Sequence, residues 1–270
     1  MMNNILITGG KGFVGQHIMR LFPDAEMYDL KDGQDILDWN QLAKAVYGKD
    51  IIIHLAALIS VNDSLRQPGK YYSTNIAGTD AILRAAVKAG CKTVIFASSA
   101  AVYAPNNPYG LSKKIGEDLM SEYRDKIQTI SLRFFNIYGP NQNPEYAGVI
   151  SKFLGFVKDK EPLRVTGDGS QTRDFISIFD IVNVIKKIIE SRSEVASGSV
   201  FEVGTGKSVT INHLAEVFSD MANVPILRAP DDNVGILHSQ ADNHKLLEII
   251  GDYPFISLRE GVERLIKKIR

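Results

Sequence analysis

The chain has 270 residues, 44% of them hydrophobic, which fills the core of one large domain or of a domain with a smaller lobe and excludes a disordered or fibrous protein. Thirty-one basic residues balance 31 acidic ones, so no global field draws the chain to nucleic acid or to an anionic membrane, and any anionic ligand must be met by local groups. Cys91, the single cysteine, cannot pair within the chain, Met1 does not open the basic, apolar and small-residue order of a signal peptide, and no apolar run approaches the ~20 residues that cross a bilayer; the expectation is a reducing, cytoplasmic setting.

The first element is a short apolar strand over residues 5–8, followed at once by Thr8-Gly9-Gly10-Lys11-Gly12-Phe13-Val14-Gly15 and a helix over 13–22. Glycines 9, 12 and 15 allow a tight turn, a close approach of backbone to a pyrophosphate and a near contact of helix on strand. The helix N-terminus supplies free N–H groups and positive potential. A strand over 26–30 follows, and in it Asp29, twenty residues after Gly9, is placed to take the two hydroxyls of an adenosine ribose, which favours NAD over NADP. Lys11 and Lys31 would soften the repulsion of a 2′-phosphate, Asp29 could simply end a strand, and the glycines taken alone also suit an ordinary βα turn.

Apolar runs then alternate with amphipathic stretches: a helix over 39–47 opened by Asp38 with Gln41 in capping-box spacing, a strand over 51–56, a helix over 71–89, a strand over 93–98, a helix over 109–123 and a strand over 129–135. Repeated βαβ units of this kind imply an α/β fold, a Rossmann-type doubly wound parallel sheet. After Tyr138-Gly139-Pro140 the texture changes to a turn rich in Pro, Asn and Gly, a helix, isolated strands near 163–166 and 201–204, and a last helix opened by the capping box at Ser257–Glu260. We expect a dinucleotide-binding domain over 1–138, completed by part of 176–204, and a smaller C-terminal α/β substrate lobe over 139–270.

Tyr109 and Lys113 stand one helical turn apart, so their side chains share a face and an ammonium can approach a phenol, although on spacing alone they are equally an amphipathic pair. A free tyrosine titrates near pH ~10, and a neighbouring cation brings it towards the working range of a proton acceptor.

Together with the glycine turn, the segments His54-Leu55-Ala56-Ala57, Asn75-Ile76-Ala77-Gly78-Thr79, Ser98-Ser99-Ala100-Ala101-Val102-Tyr103, Pro108-Tyr109-Gly110-Leu111-Ser112-Lys113, Leu132-Arg133-Phe134-Phe135-Asn136-Ile137-Tyr138-Gly139-Pro140 and Gly167-Asp168-Gly169-Ser170-Gln171-Thr172-Arg173-Asp174-Phe175 give the chain a resemblance to a known family. It resembles the extended short-chain dehydrogenases, and within them the nucleotide-sugar epimerases typified by UDP-galactose 4-epimerase. The resemblance implies Tyr109 as proton acceptor and donor and Lys113 on the nicotinamide ribose. It makes Ser99, chosen over Ser98 by its offset to Tyr103, the partner of the reacting oxygen. It implies NAD contacts at Gly9, Gly12, Phe13, Val14, Gly15, Asp29, Asp35, Ile36, Leu55, Ala56, Ala57, Asn75, Ser98 and Phe135 besides Tyr109 and Lys113. It also implies substrate contacts at Ser99, Tyr109, Asn136 and Arg173, the last two on a diphosphate; Arg173 could alternatively pair with Asp174.

In the related dehydratases an Asp-Glu pair follows the catalytic hydroxyl residue, and in the decarboxylases a Glu takes the second place. Here both are alanine, Ala100 and Ala101, which cannot move a proton. What remains is epimerisation at carbon 4 of a nucleotide-diphosphate sugar, UDP favoured, through a transient ketone. A 4-ketosugar reductase working from NAD(P)H is the alternative, and a non-catalytic dinucleotide-binding regulator the alternative from another class.

The chain departs from the family in a short stretch between Tyr103 and Tyr109, in the lack of a helix and strand between Asp29 and Asp35, and in Asp232, which aligns with a diphosphate-gripping arginine: either Arg228 replaces it from a few residues away, or the substrate is not an ordinary UDP-hexose. Ser239 stands near the position whose size decides whether an N-acetyl group fits, so acetamido sugars are allowed. The five histidines show no metal-ligand spacing, so no metal is expected. The short basic run 265–270 reads as a solvated helix face. In the family the helices that correspond to Asn75–Ala89 and to that of Tyr109 pair across a two-fold axis, so the resemblance implies a homodimer; core packing is the other reading of their small and apolar residues.

Overall fold

A computed structural model describes residues 4–143, 148–230 and 236–269. In chain order the elements are β1 (Ile5–Thr8), α1 (Phe13–Leu21), β2 (Glu26–Tyr28), α2 (Trp39–Val46), β3 (Ile51–His54), α3 (Val61–Arg66), α4 (Pro68–Tyr71), a π-helical segment (Tyr72–Ala77), α5 (Gly78–Ala89) and β4 (Thr93–Ser99). They continue with α6 (Pro108–Glu122), β5 (Gln128–Phe134), β6 (Asn136–Tyr138), α7 (Val149–Asp159), β7 (Leu163–Thr166), β8 (Thr172–Ser177), α8 (Ile178–Glu190), β9 (Ser199–Val203), β10 (Ser208–Thr210), α9 (Ile211–Ala222), β11 (Ile226–Ala229), α10 (His244–Ile250) and α11 (Leu258–Ile269). They divide into two units, Met1–Phe134 with Ile185–Glu202, and Phe135–Val184 with Val203–Arg270.

The first unit is built on a six-stranded sheet of order β2-β1-β3-β4-β5-β9, in which β1 pairs in parallel with β2 and β3, β3 with β4, and β4 with β5. Every residue of β1 and β3 is buried, as expected where helices cover both faces. The strand near 201–204 thus joins this sheet rather than standing isolated. Because β2 lies on one side of β1 and β3 on the other, the chain reverses direction between them. In such sheets the crevice outside the carboxyl ends of the strands at that point receives the ligand. The glycine turn leaves β1 and the segment Leu55–Ala57 leaves β3 at that same place. Leu30–Asp32 form a single 3₁₀ turn where another helix and strand would fit, so β2 is the edge strand.

The helix expected over 71–89 is broken into α4, the π segment and α5. The π segment inserts Asn75, 2% exposed, between two other elements: its Nδ2 donates to the Leu58 carbonyl and to Ser112 Oγ, and its Oδ1 accepts from the Leu58 N–H, all at 2.9 Å. Such widened turns are frequent at functional sites. In the second unit, β10, β8 and β6 form one small sheet and β11 and β7 another, and Phe153, Phe218, Leu214 and Val262 are among its fully buried side chains.

Candidate active site

The glycine turn is built by close contact. Gly9 adopts φ +72° with its α-carbon against the Ala56 backbone, so a β-carbon there would lie 2.7 Å from Ala56 N; one on Gly15 would lie 2.3 Å from the Gly9 carbonyl oxygen. Only glycine permits both. Helix α1 then begins at Phe13 and Val14 behind Gly12, with no side chain capping it, so its first N–H groups and positive end face out of the turn.

Asp29 is 7% exposed at the end of β2, where its carboxylate accepts from the backbone N–H of Lys11 at 2.8 Å and of Lys31 at 2.9 Å. It therefore braces the turn as well as ending the strand, and the spare lone pairs of a carboxylate remain for further donors. Lys11 forms an ion pair with Asp32. Its charge is thereby partly neutralised, which weakens the attraction of a 2′-phosphate. Asp35 caps Leu37 N at 2.9 Å, and Ile36 is buried against Gly78. Leu55, Ala56 and Ala57 are half-buried beside the turn, with the Ala56 N–H donating to Thr8 Oγ1 at 3.3 Å. Three backing glycines, an uncapped helix start and a buried acid at the end of the neighbouring strand suit a dinucleotide pyrophosphate and ribose.

Asn107 caps α6 by accepting from the Gly110 N–H at 2.9 Å, and Pro108 opens the helix, so Tyr109 lies in its first turn, where the helix field favours an anion. Ser99, the last residue of β4, lies beside the Tyr109 phenol and its hydroxyl accepts from Ala101 N at 3.2 Å. Burial pushes the Tyr109 phenol up, Ser99 opposes it, and nearby Tyr71 adds to the rise. Lys113, 4% exposed, donates to the Ala97 carbonyl at 2.7 Å and stands 4.8 Å from the Phe96 ring centre.

Burial and Ser99 are the main influences on the phenol, and the Lys113 ammonium is engaged by the Ala97 carbonyl of β4. Burial lowers Lys113 itself to about 7, against the raising effect of Glu117.

Ser98 turns away from Ser99 and donates to Glu117 Oε1 at 2.6 Å. Glu117 is 4% exposed and takes a bidentate pair from Arg133, Nε to Oε1 and Nη2 to Oε2, both 2.8 Å. Arg133 Nη1 also donates to the Tyr103 hydroxyl at 2.8 Å, and that hydroxyl bonds Glu202. The sequence reading gave Glu117 and Arg133 no role. The available signal was Glu117 at one turn beyond Lys113, the same spacing that joins Tyr109 to Lys113. His54 was likewise left without one: its Nδ1 lies 2.8 Å from Thr8 Oγ1 and its Nε2 3.1 Å from Thr79 Oγ1, a fully buried clamp of β1, β3 and α5. Among the described residues no group of three His, Cys, Asp or Glu side chains could hold a metal.

In the second unit Phe135 is buried, with its N–H on the Val203 carbonyl at 3.1 Å. Asn136 and Arg173 line one cavity of about 270 Å³ together with Gln142, Lys152, Arg164 and Gln171. Asn136 Nδ2 donates to the Asp174 carbonyl at 2.9 Å. Arg173 does not pair with Asp174, whose fully buried carboxylate is taken by the N–H groups of Thr205, Gly206 and Ala241 and by Thr205 Oγ1. Among the described residues Arg173 has no carboxylate partner; its Nη1 donates to the Thr172 carbonyl at 2.8 Å, and burial lowers it below the usual guanidinium range. Such a group is suited to an arriving anion. Arg228 is held by the Asp168 carbonyl and Asn212, at 2.9 and 2.6 Å, while Asp232 lies outside the described residues. Ser239 N–H donates to the Thr172 carbonyl at 3.2 Å, next to Arg173 in the chain.

A family model described as the NAD dependent epimerase/dehydratase family matches residues 5–204. A putative UDP-glucose 4-epimerase of Methanocaldococcus jannaschii is 30% identical, the match covering 97% of each chain. Among solved structures, the UDP-N-acetylglucosamine 4-epimerase of Methanobrevibacter ruminantium in complex with UDP-N-acetylmuramic acid is 30% identical at a TM-score of 0.87, covering 98% of this chain and 99% of that one. MoeE5 in complex with UDP-glucuronic acid and NAD is 25% identical at a TM-score of 0.87, with the same coverage.

Proposed function

The chain belongs to the NAD-dependent epimerase/dehydratase family, and from that premise we propose that it interconverts the two carbon-4 epimers of a nucleotide-diphosphate sugar, with a UDP-sugar favoured. NAD is its coenzyme. When bound, it supplies the acceptor for the carbon-4 hydride and gives that hydride back, so no net oxidation occurs.

Three groups of this chain do the rest. Tyr109 takes the proton from the carbon-4 hydroxyl as the C–H bond breaks, and returns it to the oxygen after the sugar has presented its other face. Ser99 holds that oxygen, being close enough to the phenol to lower its pKa. Lys113 orders the nicotinamide ribose and supplies the positive charge that favours a phenolate. The glycine turn and α1 take the pyrophosphate of NAD, Asp29 the ribose hydroxyls, and Leu55, Ala56, Ala57, Asp35 and Ile36 border the adenosine. Asn136 and Arg173 are the groups for the sugar nucleotide's diphosphate.

The observation that carries this reading is the placement of Ser99 at the end of β4 beside Tyr109 in the first turn of α6, with Ala100 and Ala101 following Ser99: a proton acceptor for a sugar hydroxyl stands ready, and neither residue after Ser99 can supply the acid or base that dehydration and decarboxylation need. A cytoplasmic setting and a homodimer belong to the same reading. They are supported by the single buried cysteine and by the exposed Val87 and Leu111 on α5 and α6. The test is incubation of purified protein and NAD with UDP-glucose, UDP-galactose, UDP-glucuronate and their N-acetylated counterparts. Catalytic formation of a carbon-4 epimer from at least one is expected. No epimer from any of them overturns the reading, and stoichiometric consumption of NADH by a 4-ketosugar would replace it with a reductase.

A further inference from the structure

A buried ion pair is expensive. Removing a carboxylate and a guanidinium from water costs several kcal/mol each, and replacing such a pair with apolar residues is often neutral or stabilising. Glu117 and Arg133 nevertheless join α6 to β5, three residues from the apolar Met120 that serves the same helix as ordinary core.

Two features give the pair a use beyond anchoring. Glu117 stands one helical turn after Lys113, as Lys113 stands one turn after Tyr109, so the three share a stripe of α6. Its orientation is also fixed from three directions, by Ser98 at 2.6 Å on one oxygen and by Arg133 at 2.8 Å on each.

We infer that Glu117 is a positioning residue of the reaction, whose clamped carboxylate holds the Lys113 ammonium in its charged form on the active face of α6. The inference rests on the epimerase reading above. All groups around Lys113 fit it. Among the described residues, β4 brings the Ala97 carbonyl and the Phe96 ring, and β3 brings His54, kept neutral by burial. From its own helix come Tyr109 and Glu117. Arg133 on β5 is spent on Glu117, with Glu202 of β9 3.9 Å from its Nη1 and Tyr103 on the same nitrogen. Among the described residues Glu117 is thus the carboxylate that opposes the desolvation of Lys113, which has already brought that amine to about 7. Without it the amine would be neutral through the physiological range, and the positive charge that the proposed mechanism places near the phenol would be lost.

The test reads Lys113 directly. The 13Cε shift of lysines in the full-length protein is titrated, with the Lys113 signal assigned by its loss in Lys113→Arg, alongside the alkaline limb of kcat. In Glu117→Gln the Lys113 midpoint and the alkaline limb of kcat both move down by about two pH units, the effect of one charge at a helical-turn distance of ~6 Å in a medium of effective dielectric ~20. In Arg133→Gln, which leaves the carboxylate without its guanidinium, the midpoint moves up.

A merely structural role would lower activity at every pH and move neither midpoint. Unmoved midpoints in both variants overturn the inference, as does a moved Lys113 midpoint with an unmoved limb in an active enzyme. If Glu117→Gln does not fold, the upward shift in Arg133→Gln decides alone. Failure of the wild-type protein to epimerise any sugar would strike the functional reading and leave the titration to stand by itself.

Discussion

Gly15→Ala is the substitution whose effect follows most directly from the geometry. The added β-carbon would sit 2.3 Å from the Gly9 carbonyl oxygen, 2.7 Å from Gly10 Cα and 2.8 Å from Gly10 C, all of them backbone atoms of the turn itself. Ordinary contact begins near 3.4 Å, so the turn and α1 must part by about 1 Å, and no side chain is present to swing aside. Overpacking of this kind costs about 1–3 kcal/mol of stability. The same displacement pulls the first N–H groups of α1 from the pyrophosphate, and each ~1.4 kcal/mol lost there weakens NAD binding tenfold. Gly155→Ala on α7, where an added carbon meets nothing within 4 Å, is the control and should gain about 0.5–1 kcal/mol from helix propensity. Urea unfolding and calorimetric NAD titration read both variants. Unchanged stability together with unchanged NAD affinity in Gly15→Ala would refute the reasoning.

Tyr109→Phe should lower kcat by about 10²- to 10⁴-fold, the usual share of a general acid–base, while NAD affinity by titration stays within a few fold. Asp29→Ser, which removes the acid and leaves Lys31 nearby, should narrow the preference for NAD over NADP by tenfold or more in fluorescence titrations; an unaltered ratio would show that Asp29 only braces the turn. His54, pushed down to about 3 chiefly by burial and further by Lys113, titrates near 6.5 when unfolded, so the unfolded state takes up the proton first. Its contribution is complete above pH 6.5 and is lost as the pH falls from there towards 3, at a slope approaching ~1.4 kcal/mol per unit. Denaturant melts of wild type and His54→Gln across pH 4.5–8 should show that slope in their difference; parallel curves would contradict it.

Much of the first unit was legible because its signals are local. The run at 5–8, the glycines that follow and the capping of the helix at 39 are each set by neighbours in the chain, and the strand and helix bounds fell within a few residues. The α/β sheet follows from their alternation. What was not legible crosses between elements. Periodicity over 71–89 announces a helix but not the π segment, since that widening is set by the bonds of Asn75 to Leu58 and Ser112 on other elements. The spacing of Tyr109 and Lys113 gave their common face, yet the ammonium's actual partner is a carbonyl of β4, sixteen residues back. Glu117 and Arg133 are also sixteen residues apart and meet only because β5 returns beside α6. In the second unit β6 and β10 are only three residues long, too short for an alternating pattern to register, so that small sheet was not foreseen.

The central claim is that a hydride leaves carbon 4 and comes back to its other face while Tyr109 handles only the hydroxyl proton. A UDP-sugar carrying deuterium at carbon 4, converted by the enzyme with NAD in ordinary water, tests it by mass spectrometry and NMR of the epimer formed. The account predicts that the deuterium is retained at carbon 4 and that no NADH accumulates with turnover. Loss of the label to solvent, or one NADH left for each sugar converted, would contradict it.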